Sequence, residues 1–232
     1  MRDYLLFIDT ETSGLPGNWH LPYSHQANWP HSVQIAWVIY SKDGELIKRE
    51  NHYIKDLDFD ISPAAERIHG ITRDFLLRHG ESRPDIMNLL AGDLTRYQPL
   101  VVAHFMQLDY HMVGADFYRC GMSNPLEKLP VFCTMLATAP FVSNPRAKYL
   151  RLNRLYYILF NREMTNPHEA LADAQVTAEC FFEMLRLGHI QEQQITKQQP
   201  LFKEVKPAVF KPGCIIPIFA CVILTVLISL WL

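Results

Sequence analysis

The sequence predicts a mixed α/β sheet with helices on its faces, followed by one C-terminal transmembrane helix. Three observations carry that expectation. Two short, largely apolar runs, YLLFI at 4–8 and LVVAHF at 100–105, read as central strands buried on both faces. A hairpin pattern comes before a stretch in which strand and helix alternate, the order of a mixed sheet. The last 20 residues, GCIIPIFACVILTVLISLWL at 213–232, carry no charge.

In chain order, the strand at 4–8 is followed by SVQIAWVIY at 32–40 and by 45–54, which flank the turn residues KDG. Ser62-Pro63 opens a short helix that Gly70 closes, and Thr72 caps the next. Residues 85–97 read as a helix, 100–105 as a strand, and 108–119, 148–160 and 169–187 as helices, with Gly188 as a C′ stop. In the helix containing Leu150, Leu155 and Ile158 those three side chains go inward.

The domain organisation expected is a globular domain over 1–189, a polar Gln-, Lys- and Pro-rich linker over 190–212, and a membrane anchor over 213–232. At about 1.5 Å per residue the anchor reaches roughly the 30 Å of a hydrocarbon core. Lys203, Lys206 and Lys211 precede it, so the positive-inside rule keeps the domain in the cytoplasm of a tail-anchored protein. The apolar run at the N-terminus is bracketed by Asp3 and Asp9 and is too short for a signal peptide. The five cysteines form no CxxC pair, which argues for a reducing compartment and against structural zinc. With 49% hydrophobic residues and a net charge of -2, the chain has a core but no global basic field, so nucleic acid must be met by a local patch.

Chemistry concentrates in the acids. Asp9 and Glu11 follow the first strand, and two residues apart in extended chain they project to one side. They are either a solvated strand end or half of a metal site. Asp109 stands in the first turn of a helix, where it complements the dipole or joins that site. Asp173 lies on the last helix among Ala170, Ala172 and Ala174, small enough for close approach to the sheet. His168 precedes that helix. On a regular helix it would point about 140° from Asp173, but a loop position frees it to turn back. Two hard cations such as Mg²⁺ or Mn²⁺ need three or four carboxylates, and a nearby imidazole can deprotonate an attacking water.

FIDTETSGL at 7–15, AHFMQLDYHM at 103–112 and HEALADAQ at 168–175, with ERIHGIT (66–72) and VFCTMLA (131–137) between them, resemble in order the motifs of the DEDDh exonucleases. The resemblance covers residues 4–187. It implies a ribonuclease H-like fold and two-metal 3′→5′ removal of nucleoside 5′-monophosphates, with Asp9, Glu11, Asp109 and Asp173 as metal carboxylates and His168 as general base. It also implies that Thr10, Thr12 and Leu15 surround the 3′-terminal nucleotide, with His69 and Gly70 in the segment beside that pocket. The chain departs from the family at Phe105 and Leu108, where Asn and Phe are usual, which points to altered substrate positioning. The expected substrate is single-stranded or frayed DNA, with short RNA as the alternative and a catalytically silent anchored binding module as a third reading. No polymerase domain accompanies these motifs, so a free-standing nuclease is expected.

Two further regions stay open. The loop 16–31 carries Trp19, Tyr23 and Trp29 with His20, His25 and His31, which stack on bases or pack the loop onto the sheet. Arg146, Lys148, Arg151 and Arg154 form a basic cluster that contacts phosphates, Arg151 foremost, or simply lies in solvent.

Overall fold

A computed structural model describes residues 1–55, 58–142 and 148–198. The membrane anchor, Lys203, Lys206, Lys211 and Arg146 lie outside the described residues. Among the described residues no helix is long and apolar enough to cross a membrane.

Five strands, β1 (Tyr4–Thr12), β2 (Ser32–Ser41), β3 (Leu46–Tyr53), β4 (Leu100–Ala103) and β5 (Val131–Cys133), form one mixed sheet in the order β3-β2-β1-β4-β5. β2 is antiparallel to β1 and β3, whereas β1, β4 and β5 run parallel. The helices are α1 (Pro63–His69), α2 (Arg73–His79), α3 (Arg83–Tyr97), α4 (Met106–Arg119), the single turn α5 (Thr134–Ala137), α6 (Leu152–Phe160), α7 (Ala170–Arg186) and α8 (Glu192–Gln198). The caps fall where expected. Ser62 accepts the Ala65 N–H, Thr72 accepts that of Phe75, and Gly70 ends α1 at φ 71°, a left-handed conformation that glycine adopts without a Cβ clash.

Strand alternation divides β1 between two cores. Leu6 and Ile8 face α3 and α4, packing with Ile86, Leu90, Val113 and Phe117. Leu5 and Phe7 face α7 and α6, packing with Ala174, Phe181 and Leu155. The parity persists past Ile8, because β1 continues through Asp9 and Glu11 to Thr12 instead of ending before them. The two carboxylates therefore share the α7 side of the sheet with Leu5 and Phe7, and their geometry is set by β2. Asp9 pairs with Ala36 and Glu11 with Gln34, before a register shift between Glu11 and Thr12.

Two expectations are corrected. Ile158 is 40% exposed. The buried stripe of α6 runs instead through Leu152, Leu155, Tyr156 and Leu159, the i, i+3, i+4, i+7 face that turns toward α7. The polar stretch expected to be linker from 190 begins as folded structure. Gly188 does follow α7 in a left-handed conformation, but the chain turns there and Ile190 and Ile195 pack into the α7-side core. At the end of α8 the Gln198 amide grips both main-chain groups of Cys133, accepting its N–H at 2.7 Å and donating to its carbonyl at 3.3 Å.

Candidate active site

Three elements bring the acids together. The end of β1 supplies Asp9 and Glu11, the first turn of α4 supplies Asp109, and the first turn of α7 supplies Asp173. Ala170 and Ala174 are fully buried, and their small side chains let α7 lie close against the sheet. Thr10 points to the opposite side of β1 from its neighbours, toward α4, and its hydroxyl donates to Asp109 Oδ1 at 2.9 Å. Of the residues expected near a terminal nucleotide, Thr10 is thus a buried brace for a carboxylate.

His168 stands just before α7 at φ 67°, a conformation uncommon for a residue with a Cβ. Its N–H donates to Asp173 Oδ2 at 3.3 Å and its ring is exposed. Glu11, His168 and Asp173 each offer a ligand atom within 4.8 Å of the others.

The electrostatics follow from placing acids together out of water. Burial is the largest cause of the shift at every one, with mutual repulsion added. Glu11 is pushed up to about 8, by burial and then by Asp173, Asp109 and Glu169. Asp173 is pushed to about 7 although the His168 N–H favours its ionised form. Asp109 rises to about 7 by burial, opposed by its bond from Thr10. Asp9, half-buried between them, lies well above the usual carboxylate range through burial and the charges of Asp109, Asp173, Glu11 and Glu169. Asp173 Oδ1 is buried with no hydrogen-bond partner, which is costly unless a cation meets it. A nearly all-oxygen donor set with one imidazole beside it suits a hard divalent ion. These residues fit such a cation.

The remaining expected contacts are scattered around this centre. Leu15 is 70% exposed just beyond β1. The Thr12 hydroxyl donates to the Gly14 carbonyl, shaping that turn. His69 accepts the Ile71 N–H at Nδ1. Its pKa is lowered chiefly by burial, with the charge of His168 acting in the same direction, which puts His69 on the His168 side of the site. Arg151 is exposed at the entrance to α6, with Lys148 and Arg154, and among the described residues no contact joins it to the carboxylates.

The aromatic loop packs. Trp29 and Tyr23 are buried against Met112 and Ala115 of α4, and Trp29 stacks on His111 at 5.0 Å between ring centroids. Trp19 is half-buried over Trp29 and Phe105. A buried ion cluster that motif reading missed ties the loop down. Asp116 pairs with Arg83 at 3.2 Å and Arg119 at 3.0 Å, while Arg119 also holds the Trp29 and Pro30 carbonyls. Gly114 makes the fit possible, since a Cβ there would stand 2.3 Å from Tyr23 Oη. Gly114→Ala is expected to cost about 1–3 kcal/mol by overpacking. Thermal melting checks this, and an unchanged melting temperature would mean that Tyr23 yields.

Sequence reading also missed Gln34, Asn51 and Glu169. Gln34 Nε2 donates to Glu169 Oε1 at 2.7 Å and to Asn51 Oδ1 at 2.8 Å, and its Oε1 accepts the Ala170 N–H at 3.2 Å. The one available signal was an amide amid the apolar run SVQIAWVIY.

Comparison with known proteins adds a family and a fold. A family model described as "Exonuclease" matches residues 6–181. The fold is similar to E. coli Exonuclease I in complex with a dT13 oligonucleotide, at 20% identity and a TM-score of 0.65 over 84% of this chain and 46% of that one. It is similar to the zinc-bound E. coli Exonuclease I–single-stranded DNA complex, at 19% identity and 0.65 over 85% and 42%. A 3′-exonuclease that recognises the 3′ end of a histone mRNA stem-loop aligns at 16% identity and 0.64, over 81% of this chain and 83% of that one. The chain spans less than half the length of the Exonuclease I chains. No curated protein matches it in sequence.

Proposed function

We propose, starting from the fact that this chain belongs to the exonuclease family, that it is a DEDDh-type enzyme removing nucleoside 5′-monophosphates from the 3′ ends of single-stranded or frayed DNA. The observation that carries this reading is the convergence of Asp9, Glu11, Asp109 and Asp173 beside His168, all four acids held above their ordinary pKa range. Neither a solvated strand end nor a capping acid accounts for that. A complete acidic set also speaks against a silent binding module.

Two divalent ions, Mg²⁺ or Mn²⁺, held by these four carboxylates would supply the positive charge that stabilises the attacking and leaving oxygens. The chain's own residues do the rest. The His168 imidazole, exposed at the mouth of the cluster, takes the proton of the attacking water. Thr10 fixes the Asp109 carboxylate by its hydrogen bond. Thr12, Leu15, His69 and Gly70 border the place of the terminal nucleotide, with the Leu15 side chain free to lie against its base. Arg151, with Lys148 and Arg154, meets phosphates further along the strand, which makes binding salt-dependent.

RNA is the second reading. The 3′-exonuclease that recognises a histone mRNA end matches this chain over most of both lengths, whereas the match covers less than half of Exonuclease I. We further propose that residues 213–232 anchor the enzyme in a membrane with the nuclease domain facing the cytoplasm, on the strength of that uncharged run and the lysines before it.

The test uses the full chain in mild detergent with 5′-labelled single-stranded DNA and RNA, in Mg²⁺, Mn²⁺ or chelator. A metal-dependent ladder shortening from the 3′ end is expected, slowed about 10²- to 10⁴-fold by His168→Ala, the usual range for a lost general base. A folded protein that degrades neither strand in either metal would overturn the assignment.

A further inference from the structure

Glu169 stands outside the carboxylate set, and the chemistry above gives it no task, yet both oxygens of its carboxylate are held by neighbours. Its Oε1 accepts from Gln34 Nε2 at 2.7 Å and from Asn51 Nδ2 at 3.2 Å. Its Oε2 caps α7 by accepting the Ala172 N–H at 2.8 Å. Gln34, 1% exposed, also takes the Ala170 N–H. Side chains of β2 and β3 thus hold the two residues that directly follow His168.

That placement has two effects. A non-glycine residue at positive φ persists only where its surroundings fix it, and His168 has little else to fix it. Among the described residues its main chain makes one bond, to the Asp173 carboxylate, long at 3.3 Å, and its ring is exposed. The second effect is charge. Gln34, which donates to the Glu169 carboxylate, is the strand partner of Glu11, and the Glu169 carbonyl accepts the Asp173 N–H at 2.9 Å, so this carboxylate stands beside the cluster. A charge that repels carboxylates attracts a divalent cation placed among them. Glu169 is well placed to act this way without being a ligand, since Gln34, Asn51 and the α7 cap occupy its oxygens.

We propose that Glu169, gripped by Gln34 and Asn51, is a positioning residue for His168 and a non-ligating fifth charge that strengthens cation binding by Asp9, Glu11, Asp109 and Asp173. The inference rests on the function proposed above and adds a device to it: one side chain couples the setting of the base to the hold on the metal.

The test titrates Mn²⁺ by calorimetry into full-length native protein, Glu169→Gln, Gln34→Leu and Asn51→Ala, and measures kcat and KM on single-stranded DNA. Glu169→Gln removes the charge and is expected to weaken Mn²⁺ binding about 10-fold, as outer-sphere partners of metal sites typically do. Gln34→Leu and Asn51→Ala keep the charge and loosen the grip. They are expected to bind Mn²⁺ within about twofold of native while kcat falls and KM holds, the fall reaching about 10-fold for Gln34→Leu. Asn51 is exposed, so its variant keeps the fold even if Gln34→Leu does not. Native Mn²⁺ affinity in Glu169→Gln, or native kcat in both grip variants, would overturn this inference and leave the proposed function standing. A native chain that binds no Mn²⁺ would overturn both.

Discussion

Asp109→Asn is expected to lower exonuclease turnover by about 10³-fold or more, several kcal/mol of transition-state stabilisation, while making the metal-free protein harder to melt. The two effects have one cause. Asp109 is 2% exposed and its pKa stands at about 7, so near neutral pH the folded chain holds a proton there that the unfolded chain would release. Folding must take that proton up. Asparagine is the same size, still accepts the Thr10 hydroxyl and needs no proton, so the cost, on the order of a few kcal/mol at pH 7, disappears. The gain should fade toward pH 4, where both states hold the proton. Melting curves at pH 7 and pH 4.5 beside a single-turnover assay check both halves. A variant that is inactive but less stable at pH 7 would show that Asp109 serves the fold, not the cation. Trading stability for a charged site in this way is common in enzymes.

The second large effect is a pH-dependent response to metal. Glu11, Asp109 and Asp173 have folded pKa values of about 8, 7 and 7, above their unfolded values. Their contribution to stability is full below about pH 4 and is lost as pH rises through 7 and 8. Buried and half-buried histidines act on the other flank. His31, His104 and His111 are lowered to about 4, chiefly by burial, so they cost stability as pH falls from about 6.5 toward 4. The two groups oppose each other between about pH 4.5 and 6.5, so the metal-free chain should hold its stability across that range and melt earlier at 8.5. A divalent ion needs the carboxylates ionised, so the rise in melting temperature on adding Mn²⁺ should be small at pH 5.5 and large at 8.5. Binding at pH 6.5 should release protons, seen as a heat that depends on the buffer. Equal metal-induced shifts at the two pH values would refute this account of the cluster.

Much of the site was readable because two regularities act locally. Strand alternation placed Asp9 and Glu11 on one side, and the alanines around Asp173 marked a helix that lies close to the sheet. His168 was readable as a residue off the helix because Pro167 and the start of the alanine run bracket it. What escaped depends on register across distant segments. Nothing near Gln34 says that it lies opposite Glu11, and nothing near Glu169 says that a β2 amide will reach it. The Asp116, Arg83 and Arg119 cluster escaped for the same reason, since its members are far apart in sequence and ordinary in type. Trp29 and Tyr23 were ambiguous because an aromatic ring suits a base and a helix equally well. Gly114, the open place that Tyr23 needs, decides the matter only once α4 is in position. The helix through Gln198 was masked by composition: two buried isoleucines and one glutamine suffice to dock a segment that otherwise reads as linker.

The grip of Gln198 on Cys133 bears on a different hazard. β5 is an outer strand, and an outer strand offers unpaired main-chain groups on which another chain can grow. The amide of Gln198 copies one rung of a ladder with side-chain atoms, so the rung at Cys133 is already taken. At the opposite margin β3 carries Lys48, Arg49 and Glu50 in succession, charges that make a poor template for a neighbour. Gln198→Ala should leave the active centre untouched and make the protein more prone to aggregate as it is concentrated. If residues 213–232 do hold the enzyme to a bilayer, copies crowd together in two dimensions, and a capped sheet margin keeps close neighbours from becoming fibre.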